Sequence, residues 1–220
     1  MMEEIYIAGF GGQGALSTGQ LLAYAGLMEG KHVSYVPFYG VEKRGGVANC
    51  GVTISDQEIS SPIVTEPSVL VVMNNPSLER FENAVVPGGL IIINSSLVES
   101  QVKRTDVRVI AIKANEEAEA LGDSRIANNV ILGALLELTG VVSIETTEES
   151  LKKVLPKRHH GMIPVNRKAL EKGAELAREY KRAWGENNLE VSCSAEKDGS
   201  RDGCDQHPTV LWPMWQGKKK

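Results

Sequence analysis

Cysteine is scarce in this 220-residue chain, which has only Cys50, Cys193 and Cys204. Three thiols so far apart build neither a disulfide framework nor a four-cysteine zinc or iron–sulfur motif within the chain. If redox chemistry involves this chain, its metal is elsewhere. Positive charge is not in excess either: 24 Lys and Arg against 28 Asp and Glu give a net charge of −4, with no basic field for nucleic acid or an acidic membrane. No apolar run approaches the length needed to span a bilayer, and acidic residues leading straight into a strand replace the positive flank of a secretory leader. The expected compartment is the cytoplasm. Repeats are absent, and no nucleophile–base pair or metal cluster stands out. The chain is therefore a poor candidate for a complete enzyme.

What is present begins at Ile5–Gly14, a short apolar strand that stops in Gly-Phe-Gly-Gly-Gln-Gly and opens a helix-forming run from Ala15 to Leu27. Gly9, Gly11 and Gly14 satisfy G-x-G-x-x-G with a strand before and a helix after, so free backbone N–H groups and a positive helix end face one point. Two readings stay open: an anion site for a phosphate-bearing ligand, and a turn that only packs helix closely on strand. His32–Val36 is expected as a second strand stopped by Pro37, completing a right-handed strand–helix–strand unit. A dinucleotide site would close that strand with an Asp or Glu for the ribose. Tyr35-Val36-Pro37-Phe38-Tyr39 has no acid there, which argues against plain NAD binding.

Further along, Val47–Ile54 alternates as a strand, and the continuous apolar runs Val69–Met73, Leu90–Asn94 and Val107–Ile112 predict strands covered on both faces. Ser77 is expected to cap a short helix through Ala84, and Asn115 one over Glu116–Leu121. Helical spacing continues from Ser124 to Leu138 with Gly140 as the stop, then from Thr147 to Leu155, then in a long helix after Pro164. The fold class is α/β: a three-layer α/β/α, Rossmann-like arrangement around a mostly parallel sheet. Residues 1–184 are expected to form that domain. Residues 185–220 are expected as an extended or disordered tail, with Trp212 and Trp215 available for docking.

Most candidate chemistry has a plainer explanation. Cys50 reads as a small apolar residue of a buried strand. His159-His160 reads as an exposed link, and Cys193, Cys204 and His207 have no zinc spacing. Glu137 reads as a solvated helix face. No catalytic and no metal-ligating residue is assigned. Lys43-Arg44-Gly45-Gly46 is different, since two cations beside two glycines can approach a phosphate or carboxylate closely. A solvated loop accounts for it equally.

Gly-Phe-Gly-Gly-Gln-Gly at 9–14 and Tyr-Gly-Val-Glu-Lys-Arg-Gly-Gly-Val-Ala-Asn-Cys at 39–50 together resemble the gamma subunit, or gamma domain, of the 2-oxoacid:ferredoxin oxidoreductases. Asn129-Val-Ile-Leu-Gly133 also resembles that family, and the likeness runs from about Glu3 to about Tyr180 by order of elements. Val41 stands where related sequences often have Pro, and the tail after Gly185 has no counterpart. The resemblance implies one subunit of a hetero-oligomer, inactive alone, that converts a 2-oxoacid and coenzyme A to acyl-CoA and CO₂ with electrons passing to ferredoxin. It implies alpha and beta partners, with delta in some members, which hold thiamine diphosphate, magnesium and the iron–sulfur clusters. The type leans toward 2-oxoglutarate or branched-chain oxoacids. On that resemblance Gly11, Gly12, Gln13 and Gly14 are expected to offer hydrogen bonds near the cofactor or the coenzyme A entrance, with Lys43 and Arg44 supplying positive charge and Gly45 and Gly46 letting the backbone come near. The alternative from another class is a stand-alone nucleotide-binding or interaction protein.

Overall fold

A computed structural model describes residues 1–40 and 46–195, with side chains described as far as Trp184. Six strands form one sheet: β1 (Met2–Phe10), β2 (His32–Tyr39), β3 (Val47–Ser55), β4 (Val69–Val72), β5 (Leu90–Asn94) and β6 (Arg108–Ile112). Their order is β2-β3-β1-β4-β5-β6. The helices are α1 (Ala15–Met28), α2 (Asn75–Phe81), α3 (Ala114–Ala120), α4 (Ala127–Thr139), α5 (Ile144–Val154) and α6 (Ile163–Ala195). The alternation of side chains along each strand sends two sets of residues to two faces. Ile5, Ile7, Val69, Val71, Leu90, Ile92 and Ile110 pack with α1, α3, α4, α5 and α6. Leu70, Val72, Ile91, Ile93 and Val109 pack with α2 and its flanking loops. The three expected layers are present but unequal, five helices on one face and one short helix on the other.

β1, β4, β5 and β6 run parallel in register, Ile5 opposite Val69 and Val69 opposite Leu90. The first strand–helix–strand unit differs from expectation. β3 lies between β1 and β2 and is antiparallel to both, because β2 and β3 are linked by only a short connection and so pair directly. That places β2 at the edge, where Pro37 does not end it. Gly40 N–H donates to the Val47 carbonyl at 3.1 Å, and the alternation of an antiparallel ladder then turns the amide position of Pro37 outward, so no β3 bond is lost.

Helix starts also shift. Asn74, not Ser77, caps α2 by accepting from Ser77 N–H at 3.0 Å, and Asn115 lies inside α3 rather than capping it. Ser143 caps α5, which begins at Ile144 rather than Thr147. The expected helix from Ser124 opens as a 3₁₀ turn and becomes α4 at Ala127, with left-handed Gly140 as its stop. The α6 backbone continues to Ala195, past Gly185 where an extended or disordered tail is expected. A single helical Gly costs only about 1 kcal/mol against Ala, and the residues around it favour helix. Trp212 and Trp215 lie outside the described residues. Glu137 is not simply solvated, since Lys181 and Arg178 of α6 approach its carboxylate at 3.3 and 3.9 Å.

Among the described residues the tightest packing is α4 on α6. A Cβ added at Gly133 would lie 2.0 Å from the Leu170 carbonyl oxygen, and one at Gly173 would lie 1.8 Å from that of Val130. Buried Asn129 donates to Asn166 across the same contact. The outer edge of β6 is closed by α6, where Tyr180 hydroxyl donates to the Ala111 carbonyl at 2.8 Å and Arg108 lies over the Trp184 ring. Gly133→Ala is expected to destabilise the chain by about 3 kcal/mol or more, because both partners at the contact are backbone. Gly161→Ala, with no atom within 4 Å of its added Cβ, is expected to shift urea unfolding by about 1 kcal/mol at most. Equal midpoints for the two variants would contradict the packing argument.

Candidate functional site

The glycine turn leaves β1 at Phe10 and reverses the chain in four residues before α1 begins. Two of them, Gly12 at φ 103° and Gly14 at φ 86°, occupy the left-handed half of backbone space that side chains rarely adopt. Gly14 is also the N-cap of α1 and supplies no capping side chain. A Cβ there would strike Asn128 of α4 at 2.9 Å. The Gly14 carbonyl is occupied by Thr18 N–H, Thr18 Oγ1 and Ser17 Oγ, each at 2.9 Å. α1 also has no acidic residue in its first turn, so its N–H groups and positive dipole end meet no fixed counter-charge of the helix itself.

The helix sits close on β2 and β3 because Gly19 and Gly26 face them. An added Cβ at Gly19 would reach Cys50 Sγ at 2.4 Å, and one at Gly26 would reach Val33 Cγ2 at 2.8 Å. Two side chains bond back to carbonyls in the first turn of α1: Tyr35 hydroxyl donates to Leu16 at 3.1 Å and the Cys50 thiol to Ala15 at 3.5 Å. Burial pushes each of these groups up to about 12. Cys50 is thus buried within β3, as its place in an expected strand implies.

A cleft of about 610 Å³ opens at the C-terminal end of β1, between the glycine turn, the start of α1 and the end of β2. Phe10, Tyr35 and Tyr39 give it aromatic walls, and Gly11, Gly12 and Gly14 give it a backbone floor. None of its described lining residues carries a charge at neutral pH. This is the position where open α/β sheets take ligands. The two sequence motifs meet here, since Gly11 N–H donates to the Gly46 carbonyl at 2.8 Å. Lys43, Arg44 and Gly45 lie outside the described residues.

Gln13 does not line the cleft. Its side chain turns toward the sheet: Oε1 accepts from Phe10 N–H at 2.7 Å and from Asn74 Nδ2 at 3.0 Å, and Nε2 donates to the Met73 carbonyl at 3.0 Å. Three amides that the sequence alone did not single out support the turn. Asn49 accepts from Gly9 N–H at 3.1 Å, Asn74 holds Gln13, and Asn128 Nδ2 donates to Thr18 Oγ1 at 3.2 Å. Asn49 lies within the 39–50 motif and Asn74 directly follows the apolar run Val69–Met73, whereas Asn128 had no local signal. His159 and His160 sit on a 3₁₀ link, where His159 accepts from Arg158 and His160 lies 3.0 Å from the Leu155 carbonyl. Among the described residues no group of three or more His, Cys, Asp or Glu could hold a metal, and no helix is long and apolar enough to cross a membrane.

Residues 4–176 match the family model described as pyruvate ferredoxin/flavodoxin oxidoreductase. The ketoisovalerate oxidoreductase subunit VorA of Methanothermobacter thermautotrophicus is 42% identical over 179 residues, covering 80% of this chain. The chain spans only 36% of that relative's length. Among solved structures, the gamma subunit of a keto/oxoacid ferredoxin oxidoreductase from Geobacter sulfurreducens superimposes with a TM-score of 0.69 at 30% identity, covering 80% of this chain and 99% of that one. The 2-oxoglutarate:ferredoxin oxidoreductase of Magnetococcus marinus, solved with 2-oxoglutarate, coenzyme A and succinyl-CoA bound, gives 0.73 at 26% identity over 81% of this chain and 31% of its own.

The Cys50 geometry has a direct test. With Cys193 and Cys204 replaced by Ser, the folded chain is expected to give no fast reaction with a thiol reagent at pH 8 and one equivalent after unfolding. Because its folded value lies above the ordinary 9.0, Cys50 favours the fold below pH 9. That contribution declines as pH rises from 9 toward 12. Rapid labelling of the native protein at pH 8 would show the thiol to be accessible.

Proposed function

Because the chain belongs to the pyruvate ferredoxin/flavodoxin oxidoreductase family, we propose that it is the gamma subunit of a 2-oxoacid:ferredoxin oxidoreductase, acting with alpha and beta subunits and, in a four-chain assembly, delta. The assembly oxidatively decarboxylates a 2-oxoacid with coenzyme A, yielding acyl-CoA and CO₂ and passing electrons to ferredoxin. Thiamine diphosphate with its magnesium supplies the decarboxylation chemistry and iron–sulfur clusters the electron path. We assign all of these to the partner subunits, in keeping with the three dispersed cysteines. The matches to a ketoisovalerate and a 2-oxoglutarate enzyme favour a branched-chain oxoacid or 2-oxoglutarate as substrate. The cytoplasm is the compartment this implies.

The observation that carries the reading is the uncapped start of α1 opening into an aromatic-walled cleft, in a chain whose family match covers residues 4–176. The cleft fits a ligand with an anionic group at one end and a flat ring at the other, which is the chemistry of coenzyme A. In this proposal Gly11, Gly12 and Gly14 let the backbone approach a phosphate, and Gln13 holds the turn that makes this possible. Lys43 and Arg44 supply positive charge from the adjoining segment, and Gly45 and Gly46 allow it to come close. The chain's part in the reaction is to bind and orient coenzyme A and to exclude water from the entrance.

Purifying the native assembly and assaying a panel of 2-oxoacids with coenzyme A and a low-potential electron acceptor tests the activity. Co-purification of a thiamine-binding beta chain is expected. In that assembly Arg44→Ala is expected to raise the KM for coenzyme A roughly 10- to 100-fold, the loss of one charge-assisted contact to phosphate. An unchanged KM in an intact assembly would remove Arg44 from the site, and an isolated monomer that binds ATP or NAD would overturn the subunit reading.

A further inference from the structure

We propose that Gln13 is a positioning residue rather than a ligand contact, and that Asn74 is its second attachment: the pair fixes the shape of the glycine turn before any ligand arrives. The inference deepens the coenzyme A reading above and rests on it for its kinetic arm only. A turn with Gly11, Gly12 and Gly14 has unusual backbone freedom, and an unheld turn would have to be ordered at each binding event. The structure supplies the hold from outside the cleft. Gln13 Oε1 faces two donors, Phe10 N–H and Asn74 Nδ2, while Nε2 faces one acceptor, the Met73 carbonyl.

That polarity matches a side-chain amide of this length in one orientation. Glu has the acceptor oxygens but no donor for Met73, Met has neither, and Asn is a methylene too short to reach the same atoms. Gly9 completes the fit, because a Cβ there would lie 2.8 Å from Gln13 Oε1 and 2.9 Å from Met73 Cβ. The hold then passes to the body of the protein. Asn74 is buried, its Nδ2 serves Gln13, and its Oδ1 accepts from Ser77 N–H to start α2. One amide thus joins the end of β4, the cap of α2 and the glycine turn. Gln13 itself is absent from the cleft lining while Gly12 and Gly14 are part of it, so its effect on a ligand is exerted through the backbone it holds.

Two variants separate this role from general stability. Asn74→Asp keeps an acceptor for Ser77 N–H, since Asp is as good an N-cap as Asn, but removes the donor to Gln13 and sets a carboxylate against Oε1. Gln13→Met keeps side-chain length and removes every polar contact. In the full chain, hydrogen exchange of the bonded turn amides, Phe10, Gly11 and Gln13, is expected to quicken about tenfold in each variant, with β5 exchange unchanged. The double variant is expected to exchange no faster than Gln13→Met, because both lesions break one network. In the assembled enzyme, the KM for coenzyme A is expected to rise about tenfold, more than kcat changes. Wild-type exchange of the turn amides in Asn74→Asp, or simple additivity in the double variant, would overturn the proposal. If the wild-type assembly shows no dependence on coenzyme A while turn exchange still responds, the positioning role stands and the coenzyme A reading fails.

Discussion

The whole site depends on reversing the chain between β1 and α1 in four residues, three of them glycine. The left-handed conformations at Gly12 and Gly14 make that reversal possible, but glycine only permits a shape and does not impose it. The shape comes from the hydrogen bonds around it: Gln13 to Phe10 of β1 and to Met73 just past β4, Gly11 N–H to Gly46, and Thr18 and Ser17 to the Gly14 carbonyl. Two of these partners, Met73 and Gly46, lie far along the chain from the turn. The turn is therefore an outcome of tertiary structure, although its motif reads as a local one.

Glycines do a second and different job in the helices. Gly19 and Gly26 bring α1 down on β2 and β3, and Gly133 with Gly173 lets α4 and α6 meet backbone to backbone. Conformation is not the issue at these sites. A missing Cβ sets the spacing, and the spacing decides where the helix ends stand. Because α1 lies close on the sheet, Tyr35 and Cys50 can reach its first-turn carbonyls, which holds the start of the helix beside the cleft.

How much of this was legible in the sequence follows from the range of each interaction. β5 was readable to the residue, and β4 to within one, because continuous apolar runs between turns leave few alternatives. The glycine turn, and the absence of an acid after β2, were equally plain. β2 was read short because Pro37 ends a strand unless that strand lies at an edge, and edge position is set by β3 inserting beside β1. Gln13 sits in the expected motif, yet its partners Met73 and Asn74 are some sixty positions away, and no local pattern signals them. The unequal layers were hidden as well, since period and length tell that a segment is a helix and not which face of the sheet it covers.

The outward-turned amide position of Pro37 has a consequence beyond the fold of one chain. β2 forms one open border of the sheet, and a border strand ordinarily offers a regular row of donors and acceptors to any extended peptide that drifts alongside. At Pro37 one donor in that row is missing, and the rigid ring projects into the space a newcomer's backbone would fill. A foreign strand would leave one of its own carbonyls unmatched there. The chain thus has, in one residue, protection against stacking with copies of itself.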